Sequence, residues 1–263
     1  MRKKAFTLTE LLITMSIISM LMGILLPSLN RARQQAKSIL CLSNLRQMTT
    51  AAEIYTTSND SFYPIAYFSK RISNIRSDYA WDFTHFTDWS TTPAKKTVQP
   101  GYLWSGPTNL EIQQCPCFEG EDNWLDDPFT GYNYNTSYLG RNETKMDPQT
   151  YFVPSAKNLE VTHPAKTAIF GDAMIIGGGA NKCMRAPLSN PRDAGFSDPG
   201  RIAGAQGYIH LGKTNVAFCD GHAQSWQKLY TNSSAGSQLE TYNKTTKQKI
   251  GFISEDNSLY DLK

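Results

Sequence analysis

The sequence predicts an α+β fold in which one long N-terminal helix packs on a small antiparallel-sheet domain with long loops. Three observations predict it. Residues 11–30 are uncharged and mostly apolar, and apolar side chains then recur at steps of four and three through residue 55. Beyond residue 60, short runs of β-branched and aromatic residues alternate with glycine, proline, serine and asparagine, which is typical of short strands joined by turns.

The first element is a helix of membrane length with a single acidic side chain at its start. Arg2, Lys3 and Lys4 precede the apolar run, and Glu10 stands at its head. An ionised side chain in hydrocarbon costs at least about 2.5 to 3.5 kcal/mol and is usually paired with a positive charge. The next cation along the chain is Arg31, far up the helix. The partner of Glu10 is therefore expected on another molecule.

The helix is expected to continue beyond the membrane as an amphipathic extension. Its apolar positions form one stripe, which consists of Cys41, Leu45, Met48, Ala52 and Tyr55. Turn-forming residues at 59–60 predict its end. Residues 6–58 would then make roughly 80 Å of helix. We expect a bend near Pro27, because proline removes a backbone hydrogen bond.

The remaining chain predicts strands at 167–170, 215–218 and 222–226, with loops at 177–179 and 190–200. The second and third strands would form a hairpin. Asp220-Gly221 suits a two-residue type I′ turn with both φ angles positive. Val216 and Phe218 lie two residues apart, so they should share a buried face.

Charge argues against a nucleic-acid partner. The chain has 26 basic and 23 acidic side chains, and removing the three basic residues at 2–4 leaves 23 of each. No global field remains to attract a polyanion. The length and the 40% hydrophobic content suit one folded domain behind an anchor.

The N-terminal segment resembles the class III signal of type IV prepilins. The resemblance implies that a prepilin peptidase cuts between Ala5 and Phe6 on the cytoplasmic face and methylates the new terminus at Phe6. It also implies that Glu10 pairs with the freed amine of a neighbouring subunit during assembly, and that Pro27 is the family's kinking proline. Ala5 stands where glycine is usual, and Thr9 replaces the more frequent isoleucine or valine.

This resemblance divides the chain into a leader at 1–5, a transmembrane and assembly helix at 6–29, its amphipathic extension at 30–60, and an extracytoplasmic domain at 61–263. The fold would be pilin-like. The N-terminus would be cytoplasmic, and the single span would lie in the inner membrane. An ordinary secretory signal and a plain signal anchor are the competing interpretations, but neither explains Phe6 and Glu10.

The C-terminal half resembles the "H-X9-DG" group of prepilin-type proteins from Planctomycetes, Lentisphaerae and Verrucomicrobia. In this chain the motif is His210 followed by Asp220 and Gly221. Further segments fit the same group: Cys41-Leu42-Ser43-Asn44-Leu45-Arg46-Gln47, Cys115-Pro116, Gly131-Tyr132-Asn133-Tyr134-Asn135, His163-Pro164 and Phe170-Gly171-Asp172.

The function implied is a non-enzymatic, pseudopilin-like structural subunit of a type II secretion-type pseudopilus. Its implied partners are a prepilin peptidase, other pseudopilin subunits and the inner-membrane platform of the secretion machine. The alternative is a membrane-anchored surface module or minor pilin that recognises polysaccharide or cells, and an anchored metalloenzyme is a third hypothesis. No hydrolase elbow or zinc-protease motif occurs in the sequence.

Five cysteines in an extracytoplasmic domain favour disulfides. Cys41 lies on the packing stripe and would face the head domain, where Cys115-Pro116-Cys117 offers a rigid partner. We therefore hypothesise a Cys41–Cys115 bridge. Cys219 is expected to be a small buried hydrophobe.

No cofactor is expected, although two metal hypotheses remain open. His210, Asp220 and His222 are acceptable ligands for zinc, but a purely structural hairpin is favoured. Calcium, which the major pseudopilins commonly hold, could use an acidic run that lacks EF-hand spacing, so a solvated loop is favoured. That run comprises Glu119, Glu121, Asp122, Asp126 and Asp127.

An aromatic group in the middle of the chain could line a carbohydrate groove, although packing within the core or a loop is the more common role. It comprises Tyr79, Trp81, Phe83, Phe86 and Trp89.

Overall fold

The structure is a computed structural model that describes residues 7–104, 110–123, 125–140, 154–189, 198–231 and 236–263, with the backbone alone at 198–200. The predicted cleavage residues Ala5 and Phe6 lie outside these ranges, as does most of the predicted loop at 190–200.

One helix dominates the N-terminal part, as predicted. Helix α1 spans Leu8–Ser58, 51 residues, or about 77 Å at 1.5 Å per residue. It continues through Pro27 and is capped by Asn59, whose backbone N–H donates to the carbonyl of Thr56. Its apolar first half is long and hydrophobic enough to cross a membrane, and none of those side chains is buried in the isolated chain.

The first part of the head is a four-stranded antiparallel meander. Its strands are β1 (Tyr67–Ile72), β2 (Ile75–Ala80), β3 (Phe83–Asp88) and β4 (Lys95–Pro100), paired in chain order.

A five-stranded sheet forms the centre of the head. The following elements are β5 (Tyr132–Asn135), β6 (Ala168–Asp172), β7 (Cys183–Met184), β8 (Gln206–Tyr208), β9 (Thr214–Phe218), β10 (Ala223–Trp226), α2 (Gly236–Thr245) and β11 (Lys249–Gly251). The central order is β10-β9-β6-β5-β7, and β11 pairs with β8 in a separate ribbon. All of these pairs are antiparallel except β5 with β7. The predicted strands are confirmed as β6, β9 and β10, with bounds shifted by one or two residues.

The central sheet is covered on both faces. Helix α1 packs against β6, β9 and β10, and its stripe of Cys41, Leu45, Met48 and Ala52 is fully buried. Tyr55, the last predicted member of the stripe, is half-buried. The opposite face packs on a second core, to which α2 contributes Leu239.

Strand β9 shows how this layering works. Val216 and Phe218 point into the second core, whereas Ala217 between them points toward α1. This confirms the predicted shared face of Val216 and Phe218. All five residues of the strand are buried, because both faces of the sheet are covered.

The turn between β9 and β10 differs from the predicted type I′ turn. Only Gly221 has a positive φ, +89°, whereas Asp220 does not. The N–H of Gly221 donates to the carbonyl of Phe218, and the N–H of Phe218 donates to the carbonyl of His222. This pattern is a type I turn over residues 218–221, closed by a glycine bulge. The predicted turn type was wrong because the loop has three residues and only its last needs the left-handed region.

Candidate functional site

The start of α1 is organised around Thr7 and Glu10. The Glu10 carboxylate accepts hydrogen bonds from the backbone N–H of Thr7 at 2.9 Å and from its hydroxyl at 2.7 Å. The Glu10 N–H in turn lies 3.3 Å from the Thr7 hydroxyl oxygen. This reciprocal capping box satisfies free N–H groups at the first turn. It therefore fixes both the helix start and the position of the acidic side chain.

Glu10 has no positive partner among the residues that the structure describes. Its side chain is exposed, and so are the apolar side chains that follow it through Leu29. The isolated chain thus presents one carboxylate beside a long uncovered apolar surface. Such a surface requires lipid or other helices to cover it.

A second constellation lies where α1 meets the head. Cys41, Cys115, Asp172 and His210 converge so that one ligand atom from each lies within 4.8 Å of all the others. All four side chains are buried, and His210 is the most exposed at 3%.

Four different parts of the fold supply this cluster. Cys41 comes from α1, and Cys115 follows the short 3-10 turn at Leu110–Gln113. Asp172 is the last residue of β6, and His210 lies between β8 and β9, where its backbone bridges to Lys213.

The cluster is held by direct polar contacts. The Cys41 thiol donates to Oδ1 of Asp172 at 3.0 Å, and Oδ2 of Asp172 lies 3.1 Å from Nε2 of His210. The sulfur of Cys115 lies 3.9 Å from that of Cys41 and 3.7 Å from Nε2 of His210. The backbone N–H of Asn215 donates to Oδ2 of Asp172 at 2.5 Å.

Charge in the cluster centres on Asp172. Burial disfavours a charged imidazole, but the Asp172 carboxylate outweighs it and raises the pKa of His210 to about 11. Burial also opposes a thiolate at Cys115, yet its hydrogen bonds with Cys41 and His210 lower its pKa below the ordinary value. Burial raises the pKa of the Cys41 thiol well above its ordinary value, so the two thiols of the cluster differ in acidity.

The predicted Cys41–Cys115 disulfide is absent, although the two residues do meet. Both are free thiols, and a sulfur separation of 3.9 Å is far beyond the bonded distance of about 2.05 Å. Asp172 and His210 lie beside the two sulfurs, so the sequence identified a pair of cysteines that meet but not the residues around them.

The set His210, Asp220 and His222 does not form a ligand group. The ligand atoms of these three residues, all of which lie in the described part of the chain, are not all within 4.8 Å of one another. Asp220 and His222 sit in the exposed turn, where Oδ1 of Asp220 is 2.5 Å from Nδ1 of His222. His210 instead faces the buried cluster, because the strand between His210 and Asp220 carries the two ends of the motif apart.

The acidic run proposed for calcium is also dispersed. No three of its carboxylates converge, although all five residues are described. Asp126 is exposed and pairs with Lys96 at 3.0 Å. Asp127 is buried and belongs to a different network.

That network is a buried ionic cluster in the head. The Lys182 ammonium lies 2.9 Å from Oδ1 of Asp82 and 2.7 Å from Oδ2 of Asp127. Asp127 also contacts His85 and Asn123, each at 2.5 Å. Asp82 has fewer partners, and burial raises its pKa to about 7.

The aromatic group divides between core and surface. Trp81 and Phe83 are buried at 1% exposure each, so the group does not line one groove. Tyr79 is half-buried and stacks on Phe68 with ring centroids 4.6 Å apart. Trp89 is exposed beneath the Arg71 guanidinium.

Three residues of these polar groups were not predicted from the sequence: Thr7 of the capping box, Asp172 of the cysteine cluster and Lys182 of the buried ionic network. Thr7 could have been found, because Thr-x-x-Glu before an apolar run is the capping-box pattern. Asp172 lay within a segment quoted only for family resemblance. Lys182 carried no local signal, since its partners are distant in sequence.

Comparison with known proteins places the chain by its N-terminus. Residues 1–26 match the family described as the prokaryotic N-terminal methylation motif. No curated protein and no solved structure matches the chain. The chain thus carries a prepilin-type methylation motif, which supports a membrane-anchored, type IV pilin-like protein. The motif implies processing by a prepilin peptidase and assembly with other pilin subunits.

Proposed function

We propose that the protein is a pseudopilin-like structural subunit, without enzymatic activity, of a type II secretion-type pseudopilus. It is inserted in the inner membrane with its head on the extracytoplasmic side. A prepilin peptidase removes residues 1–5, and the inner-membrane platform feeds the subunit into the fibre. Helix α1 then moves from lipid into contact with the helices of neighbouring subunits.

The observation that carries this proposal is the Glu10 carboxylate, which lies at the head of an uncovered apolar helix and has no cationic partner among the described residues, 7 onward. The capping box presents the carboxylate at a fixed position, but it supplies only neutral donors from Thr7. A charge in this setting is stabilised chiefly by an opposite charge.

Processing would create that opposite charge. Cleavage before Phe6 leaves an α-amine one residue before Thr7, near the membrane depth of Glu10. The Glu10 carboxylate of one subunit can then accept from the amine of another, which neutralises both. The pairing sets the axial register between adjacent helices, while their apolar side chains cover one another.

Replacing Glu10 tests this role. Full-length Glu10→Gln, expressed in the native host, should be cleaved and methylated normally but should enter fibres poorly. Sheared-fibre yield and N-terminal mass spectrometry measure the two steps separately. Glu53→Gln is the matched control, because Glu53 is an exposed glutamate on the same helix outside the apolar half. Normal fibre yield from Glu10→Gln would exclude the proposed assembly role.

Three stacked aromatic rings on the head favour a second candidate function, a surface module that binds polysaccharide. Phe68, Tyr79 and Tyr102 stack with ring centroids 4.6 to 6.2 Å apart and are half-buried. Flat aromatic faces suit sugar rings. Binding of full-length protein to a glycan array, lost in Tyr102→Ala and kept in Trp89→Ala, would support this candidate, whereas an array without bound glycans would exclude it.

A further inference from the structure

We propose that Cys41, Cys115, Asp172 and His210 form a structural Zn²⁺ site that fastens helix α1 to the head.

The spacing of the four ligand atoms suits a tetrahedral ion. Zinc–sulfur bonds are about 2.3 Å and zinc–nitrogen or zinc–oxygen bonds about 2.0 to 2.1 Å, so a tetrahedral centre sets its ligands about 3.3 to 3.8 Å apart. The two sulfurs are 3.9 Å apart, and the Cys115 sulfur is 3.7 Å from the His210 nitrogen. The Asp172 oxygen Oδ1 lies 3.0 and 3.8 Å from the two sulfurs. The 3.0 Å contact is closer than the tetrahedral spacing, and an ion at the centre would lengthen it.

The donor types select the metal. Two cysteine sulfurs with one imidazole and one carboxylate form a borderline-soft, four-ligand set that suits zinc. Calcium and magnesium prefer sets of oxygen ligands, so this site disfavours both. All four side chains are buried, so no position is open to a substrate. A closed set of four protein ligands indicates a structural rather than a catalytic ion.

A second layer of contacts orients the carboxylate ligand. The Asn215 N–H holds Oδ2 of Asp172, which leaves Oδ1 directed at the sulfurs. The Asn215 side-chain amide also donates to the backbone carbonyl of Ser38 at 3.3 Å, one helical turn before Cys41. Such outer contacts are a usual feature of protein metal sites.

Metal binding here is a proton exchange. The proton count starts from two protonated thiols and from an imidazolium paired with the carboxylate. Zn²⁺ would displace the protons of Cys41, Cys115 and Nε2 of His210, so three protons leave as the ion enters. The site then carries a net charge of −1, and no oxidant or reductant is needed.

A surface cavity of about 330 Å³ lies near the ligand residues in sequence. Its lining includes Ile209, which precedes His210, Cys117, which lies two residues after Cys115, and Lys37, which lies about one helical turn before Cys41.

The expected consequence is mechanical. The ligands come from α1, from two loops and from the end of β6. One ion would therefore hold α1 against the two loops and the strand. Metal binding of this kind contributes directly to folding stability. The ion would act in the same way in any assembly that the protein joins.

Metal analysis of the intact chain tests the proposal. Full-length protein, purified in detergent under reducing conditions, should contain one zinc per chain by elemental mass spectrometry. Replacement by Co²⁺ should give thiolate-to-metal charge-transfer bands and the intense visible bands of a tetrahedral ion. Removing zinc with a chelator should lower the melting temperature.

Variants locate the ligands. Cys115→Ser and His210→Gln should lose zinc, whereas Cys219→Ser should retain it, because Cys219 is buried outside the cluster. His222→Gln is the matched histidine control. The cobalt spectrum is recorded on the unmodified chain, so it remains decisive if a variant fails to fold.

Three results would overturn the proposal. They are a chain that takes up neither zinc nor cobalt, full zinc retention in Cys115→Ser, and a Cys41–Cys115 disulfide in protein alkylated at harvest and mapped without reduction.

Discussion

The thiol of Cys41 on α1 donates a hydrogen bond of 3.0 Å to the Asp172 carboxylate at the end of β6, across 131 positions of the chain. Two groups that are polar and fully buried thus mark the junction between rod and head. The same junction contains hydrogen bonds from Asn44 to Tyr132 and from Arg46 to the carbonyl of Ala223. These contacts therefore fix the rotation of α1 about its axis as well as its position, because hydrogen bonds are directional whereas apolar packing alone is not.

The stripe on α1 should account for a large share of the stability of the junction. Leu45 is fully buried, so Leu45→Ala should lower the free energy of unfolding by about 2 to 5 kcal/mol through lost burial and a cavity. Urea unfolding of detergent-solubilised monomer measures it. Leu40→Ala is the control, since Leu40 is an exposed leucine on the same helix. Equal losses in both variants would contradict the observed packing of the stripe.

The Thr7 cap should tune assembly rather than decide it. Thr7→Val removes the hydroxyl that bonds Glu10 and should cost about 1 kcal/mol of helix-start stability. Because Glu10 itself remains, we expect a reduced fibre yield and not its loss. Thr14→Val is the matched control, since the Thr14 hydroxyl bonds only a backbone carbonyl within the helix. An unchanged yield in Thr7→Val would show that the cap does not position Glu10 for assembly.

The buried network around Lys182 should give a measurable pH dependence. The pKa of Asp82 is about 7 in the folded chain, against about 3.9 when unfolded. The folded state therefore holds an extra proton between these values, and its stabilising contribution is lost as pH rises from about 4 to 7. Asp82→Asn should remove this part of the pH dependence of the free energy of unfolding. The variant should therefore become more stable relative to the unmodified chain as pH rises.

Chemical unfolding at several pH values checks this prediction. Asp126→Asn should leave the slope unchanged, because Asp126 is exposed and paired only at the surface. Parallel pH profiles for Asp82→Asn and the unmodified chain would contradict the assigned role of Asp82.

Replacing Gly221 in the bulge should lower stability because of its backbone conformation and not because of crowding. Its φ of +89° is unfavourable for L residues, whereas an added Cβ would meet only Glu53, at 3.8 Å. Gly221→Ala should therefore cost about 1 to 2 kcal/mol from conformation alone. Gly221→Asn should cost less, because asparagine tolerates the left-handed region. Thermal unfolding of the two variants distinguishes strain from crowding, since crowding would make the larger asparagine worse.

The sequence alone determined the elements whose signals are local. The apolar run, the position of Glu10, the stripe from Cys41 to Ala52 and the three predicted strands each follow from hydrophobic periodicity over a few residues. Physical pattern and local structure agree there because neighbours in sequence stay neighbours in a helix or strand. The capping box at Thr7 was also readable in this way.

Only the tertiary structure decided which distant side chains meet. It placed His210 with Asp172 and the two cysteines instead of with Asp220 and His222, and it buried Lys182 between Asp82 and Asp127. These contacts depend on the order of strands in the sheet and on how α1 crosses it. No pattern in one sequence fixes such pairings, because they join segments up to 169 positions apart and their energy is realised only when the whole sheet has formed.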